Sequence, residues 1–528
     1  MQFSIAALIT SICALCGIFF IWAKWKLTYW QRRGVPTLPT NLFFGNFADS
    51  ICGRISPGWL LGRLYSQAEP GSKFLGIYIF QQPFFLLRDP QLIKQMFIKD
   101  FNVFSGRYFA PKNSRDRIGT QNLFSIDNPE WQHLRHKLSP AFSSGKLKGL
   151  FGLMVESSES LATHLENQFK NHSGGRKCIE VKDATTRYTT DIISSLAFGV
   201  HTNSFEKSAS EFYTRSRQLF ADDLISAIAI FCLGFFPRVF EHCLFTTFLG
   251  QQTTYFKNMF RSSMKAREDT KSERGDIMDT LVKLRHENDD GPFKFDEETL
   301  MAQSCLFFVA GLETSATTMA FALWELAKSP DIQDRVRNEI IEKLEGGELT
   351  YEKVKQMNYL MQIISETLRI YPPAPILDRV SNRDYQIPGT DVIIERGTPV
   401  YVALPGIHMD PDYFPNPEEF DPDRFKDERN LKSCTYMPFG EGPRICIGNI
   451  NIIILIFSLL NFTVQLSTEI LQSISVRSFR YESWESADSC RFNQNAPELS
   501  IFGKSIPRSE SLQTWHLPQT GRRCPLVL

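Results

Sequence analysis

Neither sign of charge predominates: 58 Lys and Arg stand against 58 Asp and Glu. Without a basic excess the chain does not read as a nucleic-acid binder. Its eleven cysteines are scattered and odd in number, so a disulfide framework is missing. They read as reduced thiols in a cytosol-facing domain. Between residues 40 and 448 there is no internal repeat, no long low-complexity tract and no obvious linker. No flavin or nucleotide motif occurs. A disordered chain is excluded by 13% aromatic and only 22% charged residues. What is present is apolar bulk: 43% hydrophobic residues and 44 Phe in 528, enough for a large core or ligand cavity.

The longest charge-free run is Phe3 to Trp22. Its twenty residues, as a helix, span a hydrocarbon core of about 30 Å. Lys24, Lys26, Arg32 and Arg33 follow, interleaved with Trp25, Tyr29 and Trp30. That flank predicts an anchor over 1–23 with the rest of the chain on the cytoplasmic side. A cleaved secretory signal is the competing reading. Residues 24–40, with Gly34, Pro36 and Pro39, read as a basic, stiff spacer. A second apolar run, Cys305 to Trp324, contains Glu313, which is costly in lipid, so a central helix of a soluble domain is expected.

Periodicity predicts helices over Gln91–Lys99, Pro129–Phe142, Gly149–Phe169, Asp276–Glu287, Leu300–Lys328, Ile332–Leu344 and Tyr351–Tyr371. Short strands are expected at Phe74–Ile79, Phe84–Leu87 and Val400–Leu404. The 224–237 stretch is apolar but too short to span; a buried helix or a segment dipping into a membrane surface both fit.

The sharpest chemical signal is Phe439-Gly440-Glu441-Gly442-Pro443-Arg444-Ile445-Cys446-Ile447-Gly448. A lone Cys is more often a core thiol. Here Gly442 and Gly448 allow close backbone approach to something flat, and Arg444 can grip an anion and favour thiolate. The decamer fits the pattern FxxGxRxCxG of a haem loop, in which a thiolate ligates iron. Ala310-Gly311-Leu312-Glu313-Thr314 lies on the central helix, with Thr314 placed 132 residues before Cys446. Glu366 and Arg369 share a helix face at i, i+3 spacing. Trp131 and Arg135 are placed similarly.

With these motifs in this order, residues 1 to 448 resemble the cytochrome P-450 superfamily, the haem-thiolate monooxygenases, and within it the insect microsomal branch of family-six type. The resemblance implies a mainly α fold with a small β subdomain, built on 41–448, behind one N-terminal transmembrane helix. It implies haem as cofactor, with Cys446 as axial iron ligand. Thr314 and Glu313 would handle protons, and Gly311, beside Ala310, would let the helix approach the haem. Arg107, Trp131, Arg135, Arg379 and Arg444 would hold the haem propionates, with Phe439 opening the loop. Glu366, Arg369 and Arg424 would form a structural ion-pair network behind it. Electrons would come from an NADPH-dependent cytochrome P-450 reductase, with cytochrome b5 as a further donor, at the endoplasmic reticulum membrane. Arg135, His136, Lys137, Lys146 and Lys148 are a candidate docking face, or a solvated one. Substrates would be lipophilic small molecules, xenobiotic or endogenous, lining segments such as Phe109–Phe124 and Ala374–Leu377.

After Gly448 the pattern departs. Asn449-Ile450-Asn451-Ile452-Ile453-Ile454 is β-branched where an amphipathic helix is expected, and 467–528 is Ser-rich and mixed in charge. A changed reading frame, a retained intron or a spliced variant explains 449–528. An alternative function follows: a catalytically impaired haem-binding product.

Overall fold

The computed structural model describes residues 2–110, 115–170, 180–206, 210–220, 232, 234–237, 248–427 and 434–449. The atypical tail lies outside the described residues beyond Asn449, as does most of 224–237. The fold is the expected one, helical with a small sheet. Seven helices position the site: α1 (Gln2–Leu27), α2 (Pro57–Gln67), α3 (Glu130–Leu138), α4 (Val181–Phe198), α5 (Glu297–Lys328), α6 (Asn358–Ile370) and α7 (Leu404–His408).

Among the described residues two helical stretches are apolar and long enough to cross a membrane. One is Ile9–Arg33, overlapping α1, whose apolar window is only 6% buried; the other is α5, whose window is 61% buried within the domain. Enclosure of α5 by protein agrees with its reading as a central soluble helix. It begins three residues before the apolar pattern because Asp296 caps it, accepting the Thr299 N–H at 2.9 Å.

The helix packed most extensively on α5 is α4, which periodicity misses. Its sequence, rich in Thr and Ile, has modest helix propensity. Tertiary burial overrides that, and Thr185, Thr186, Thr189 and Thr190 each satisfy their hydroxyl on a carbonyl three or four residues back. The helix expected over 351–371 is two helices, Tyr351–Lys355 and α6. Glu339 causes the second start: its carboxylate accepts the N–H groups of Tyr359 and Leu360 at 2.9 and 3.0 Å. The helix expected over 91–99 is α-helical only to Lys94, then makes one π turn, Gln95–Lys99.

The main sheet has the order β1-β2-β6-β3. β1 (Phe74–Ile79) and β2 (Gln82–Leu87) form a hairpin; β6 (Pro399–Ala403) runs parallel to β2 and antiparallel to β3 (Ile376–Val380). A second pair, β4 (Tyr385–Gln386) and β5 (Ile393–Ile394), is minimal. The sequence hides β3 because Asp378 and Arg379 sit inside it, both buried.

The 24–40 spacer is packed rather than free. Trp30 is fully buried on the sheet: its Nε1 donates to the Ile77 carbonyl at 3.2 Å and its backbone N–H to the Tyr78 hydroxyl at 2.9 Å. A Cβ on Gly76 would come within 2.4 Å of the indole, so only glycine fits there. Among the described residues two large cores result, one on the sheet side and one around α4 and α5, beside a small cluster of Phe414, Phe425 and Tyr436. The 436–448 loop touches both, Met437 in the first and Phe439 and Ile447 against the second.

Candidate active site

The loop is held by its own backbone. Gly440 N–H donates to Met437 O, Ile445 N–H to Gly442 O and Cys446 N–H to Phe439 O, each at 2.9 Å. Gly440 and Gly442 have φ of 77° and 76°. A Cβ on Gly442 would lie 2.3 Å from the Phe97 carbonyl oxygen, so the loop presses on the π turn and needs glycine there. Cys446 is accessible, yet protein surrounds it closely enough for burial to push its thiol pKa up. The Gly448 amide and the charges of Arg135 and Arg107 pull the other way without prevailing. Bonding to a metal cation would reverse that balance, because a coordinating thiol loses its proton.

Four guanidinium groups gather nearby. Arg107 pairs with Asp378 at 2.8 Å and lies over the Phe124 ring at 4.2 Å. Arg379, from β3, donates to its neighbour's carbonyl at Asp378, 2.7 Å, and lies 4.5 Å over Phe97. Arg444 donates to the carbonyls of Phe124 and Ile126 at 3.2 and 2.6 Å and lies 4.5 Å over Trp131. Arg135, on α3, pairs with no carboxylate among the described residues. Burial and mutual repulsion lower the pKa of Arg379 far below the ordinary range and that of Arg444 to about 9. The Nε atoms of Arg107, Arg379 and Arg444 are buried with no hydrogen-bond partner. Uncompensated cations inside a protein are costly, so this cluster fits a ligand bearing more than one carboxylate. Together with the accessible thiol, the donor set fits an iron porphyrin and its two propionates.

On α5 the exposed strip is Ala310 and Thr314, one turn apart, amid buried neighbours. The Thr314 hydroxyl donates to the Ala310 carbonyl at 2.7 Å. Gly311 lies elsewhere. A Cβ there would meet Ile193 of α4 at 2.9 Å, so its small size serves the packing of α5 on α4. Glu313 pairs with Lys182 of α4. Thr317 donates to the same carboxylate at 3.1 Å and accepts from Lys182 at 2.7 Å. Burial holds the Lys182 ammonium below its ordinary pKa.

Behind the loop, Glu366 and Arg369 form a fully buried bidentate pair at 2.7 and 2.8 Å. Arg424 joins at 3.3 Å and also donates to Asn416 O at 2.6 Å. The structure thus brings together the three residues read as a network. Sequence reasoning missed Asp378 and Lys182, which carry no motif, and gave no role to His408. The basic docking face is partly spent: Lys137 pairs with Asp289 at 2.8 Å and Lys148 with Glu352. His136 and Lys146 remain exposed.

A family model described as Cytochrome P450 matches residues 64–469, running past Gly448. Cytochrome P450 6k1 of Blattella germanica is 41% identical over 468 residues, covering 83% of this chain and 88% of the relative. Probable cytochrome P450 6g2 of Drosophila melanogaster is 36% identical, covering 84% and 88%. Cytochrome P450 6B2 of Helicoverpa armigera is also 36% identical, covering 82% and 86%.

Proposed function

The chain belongs to the cytochrome P450 family, whose members are haem-binding monooxygenases, and from that premise we propose that it oxidises lipophilic molecules at the endoplasmic reticulum membrane with electrons from an NADPH-dependent reductase. One observation carries the reading: an accessible thiol, Cys446, beside four guanidinium groups of which, among the described residues, only Arg107 pairs with a carboxylate, that of Asp378. The haem, when bound, supplies dioxygen activation, with one oxygen atom going to substrate and the other to water.

The chain's residues divide the remaining work. Cys446 provides the thiolate, and Gly442 lets the loop seat against Phe97. Arg107, Arg135, Arg379 and Arg444, with Trp131, hold the carboxylates. Thr314 offers a hydroxyl on the open strip of α5, and its proton is held on the Ala310 carbonyl until a better acceptor arrives. Glu313 places a carboxylate one residue away, ion-paired with Lys182. Lipophilic substrates suit the apolar wall that Phe109 and Phe124 begin. The apolar α1 with Lys24 and Lys26 in its last turn supports a membrane anchor with the domain on the cytoplasmic side. Cytochrome b5 is a further electron donor by family analogy.

The Ser-rich tail beyond residue 469, where the family match ends, favours a second reading, a haem-binding product of impaired activity. Spectroscopy of the reduced, carbon monoxide-bound protein separates them. A thiolate-type Soret band, lost in Cys446→Ser, supports the enzyme; absence of haem from the wild-type protein supports the second reading.

A further inference from the structure

His408 closes α7 and is completely buried. Its ring stacks on Tyr436 at 5.6 Å and meets Phe414 edge-on. Both ring nitrogens have backbone partners. Nδ1 lies 3.1 Å from the Arg369 carbonyl oxygen, and Nε2 lies 3.1 Å from the Met437 amide nitrogen. A carbonyl can only accept and an amide N–H can only donate. The partners therefore fix the tautomer: the proton is on Nδ1, Nε2 is bare, and the ring is neutral.

The exchange with Arg369 is reciprocal. The Arg369 guanidinium donates to the His408 carbonyl at 2.8 Å while the His408 ring donates to the Arg369 carbonyl. From Met437 the chain of bonds runs on into the loop, through Gly440 N–H to Met437 O and Cys446 N–H to Phe439 O. Tyr436 adds a parallel tie, its hydroxyl donating to Ser365 O on α6 at 3.0 Å.

We propose that His408 is a positioning residue for the cysteine loop: its imidazole transmits the placement of the buried Glu366–Arg369 pair to Met437, and so sets where the Cys446 sulfur stands. This rests on Cys446 being the haem ligand, and it gives a physical task to the ion pair. A second proton on Nε2 would face the Met437 N–H and open the tie. Burial and the Arg369 charge oppose that proton, holding the ring pKa at about 3. The groups around the ring are Arg369 and Glu366 from α6, Arg424 joined to Glu366, and Tyr436 from the loop. On the other side of α7, α2 presents Tyr65, bonded to Asp410. The sign follows. A folded pKa below the unfolded value of about 6.5 means that stability is lost as pH falls below that value, down to the folded pKa.

Three variants of the full chain, haem-loaded, test this by the thiolate-type Soret band of the reduced, carbon monoxide-bound form. His408→Gln keeps an acceptor at the Nε2 position. His408→Asn keeps a polar group only near Nδ1. His408→Phe keeps the ring and neither bond. His408→Gln is expected to retain most of the thiolate-type band, and the other two to lose most of it to the form without thiolate ligation. On acid titration the wild-type band is expected to fail at higher pH than that of His408→Gln, by about one pH unit or more. Equal spectra for Gln and Asn, or the same acid midpoint in wild type and His408→Gln, would overturn the proposal. Failure of all three variants to fold leaves the wild-type acid titration decisive: a thiolate band that survives to the pH of global unfolding overturns it as well. A wild-type protein with no such band at any pH refutes instead the assignment of Cys446.

Discussion

Lys182, in the first turn of α4, reaches across the helix contact to the Glu313 carboxylate on α5. The pair is partly exposed, so its removal costs the fold little, about 1 kcal/mol. Its chemical effect is larger, because Glu313 stands next to Thr314. In Lys182→Met the carboxylate loses its ion-pair partner and keeps only the Thr317 hydroxyl. Turnover is expected to fall several-fold with substrate binding unchanged. Unchanged turnover in a fully haem-loaded protein would remove the pair from proton handling.

Arg379 separates the cost of the empty fold from the gain on loading. Its guanidinium is buried, repelled by Arg107 and Arg444, and met by carbonyls rather than by a carboxylate of its own. Removing an uncompensated buried charge is often neutral or stabilising. Arg379→Met is therefore expected to leave the melting temperature of haem-free protein unchanged or higher, while weakening haem affinity about tenfold, or 1.4 kcal/mol. Haem titration followed by absorbance, beside thermal melts with and without haem, checks both halves. Equal destabilisation of the two forms would contradict the clamp.

The two loop glycines give an internal control. Gly440 and Gly442 share a positive φ, but a Cβ on Gly440 meets only Leu377 at 3.7 Å, whereas one on Gly442 strikes the Phe97 carbonyl. Gly440→Ala carries the left-handed penalty alone, about 1 kcal/mol. Gly442→Ala carries the same penalty plus a backbone clash. Haem content per chain is expected to fall modestly in the first and several-fold in the second. The reverse order would mean that the loop does not seat on the π turn.

Contiguous chemistry was legible in the sequence and long-range chemistry was not. The decamer around Cys446, the i, i+3 pair Glu366 and Arg369, and the acid beside Thr314 all announce themselves by local spacing. So do helices such as Pro330–Leu344, whose apolar face recurs with helical period. By contrast, α4 is β-branched and buried on several sides, so it has no clean period, and β3 carries two charges in five residues. Lys182, Asp378 and His408 act through partners 131, 271 and 39 residues away, so no window of sequence contains both ends. The same distance explains why Lys137 and Lys148 looked free: Glu287, which flanks Lys137 with Asp289, and Glu352, which pairs with Lys148, lie 150 and 204 residues downstream.

The indole of Trp30, wedged on Gly76 and bonded to Ile77 and Tyr78, stands three residues past the end of α1. If α1 crosses a bilayer, the domain cannot swivel about that joint as a ball on a string. Its tilt over the lipid, and hence the direction from which greasy molecules enter, is set by this short joint, where Tyr29 and Arg33 bond to Glu395 beside the indole. Trp30→Ala would loosen that bracket without touching any residue near the thiol.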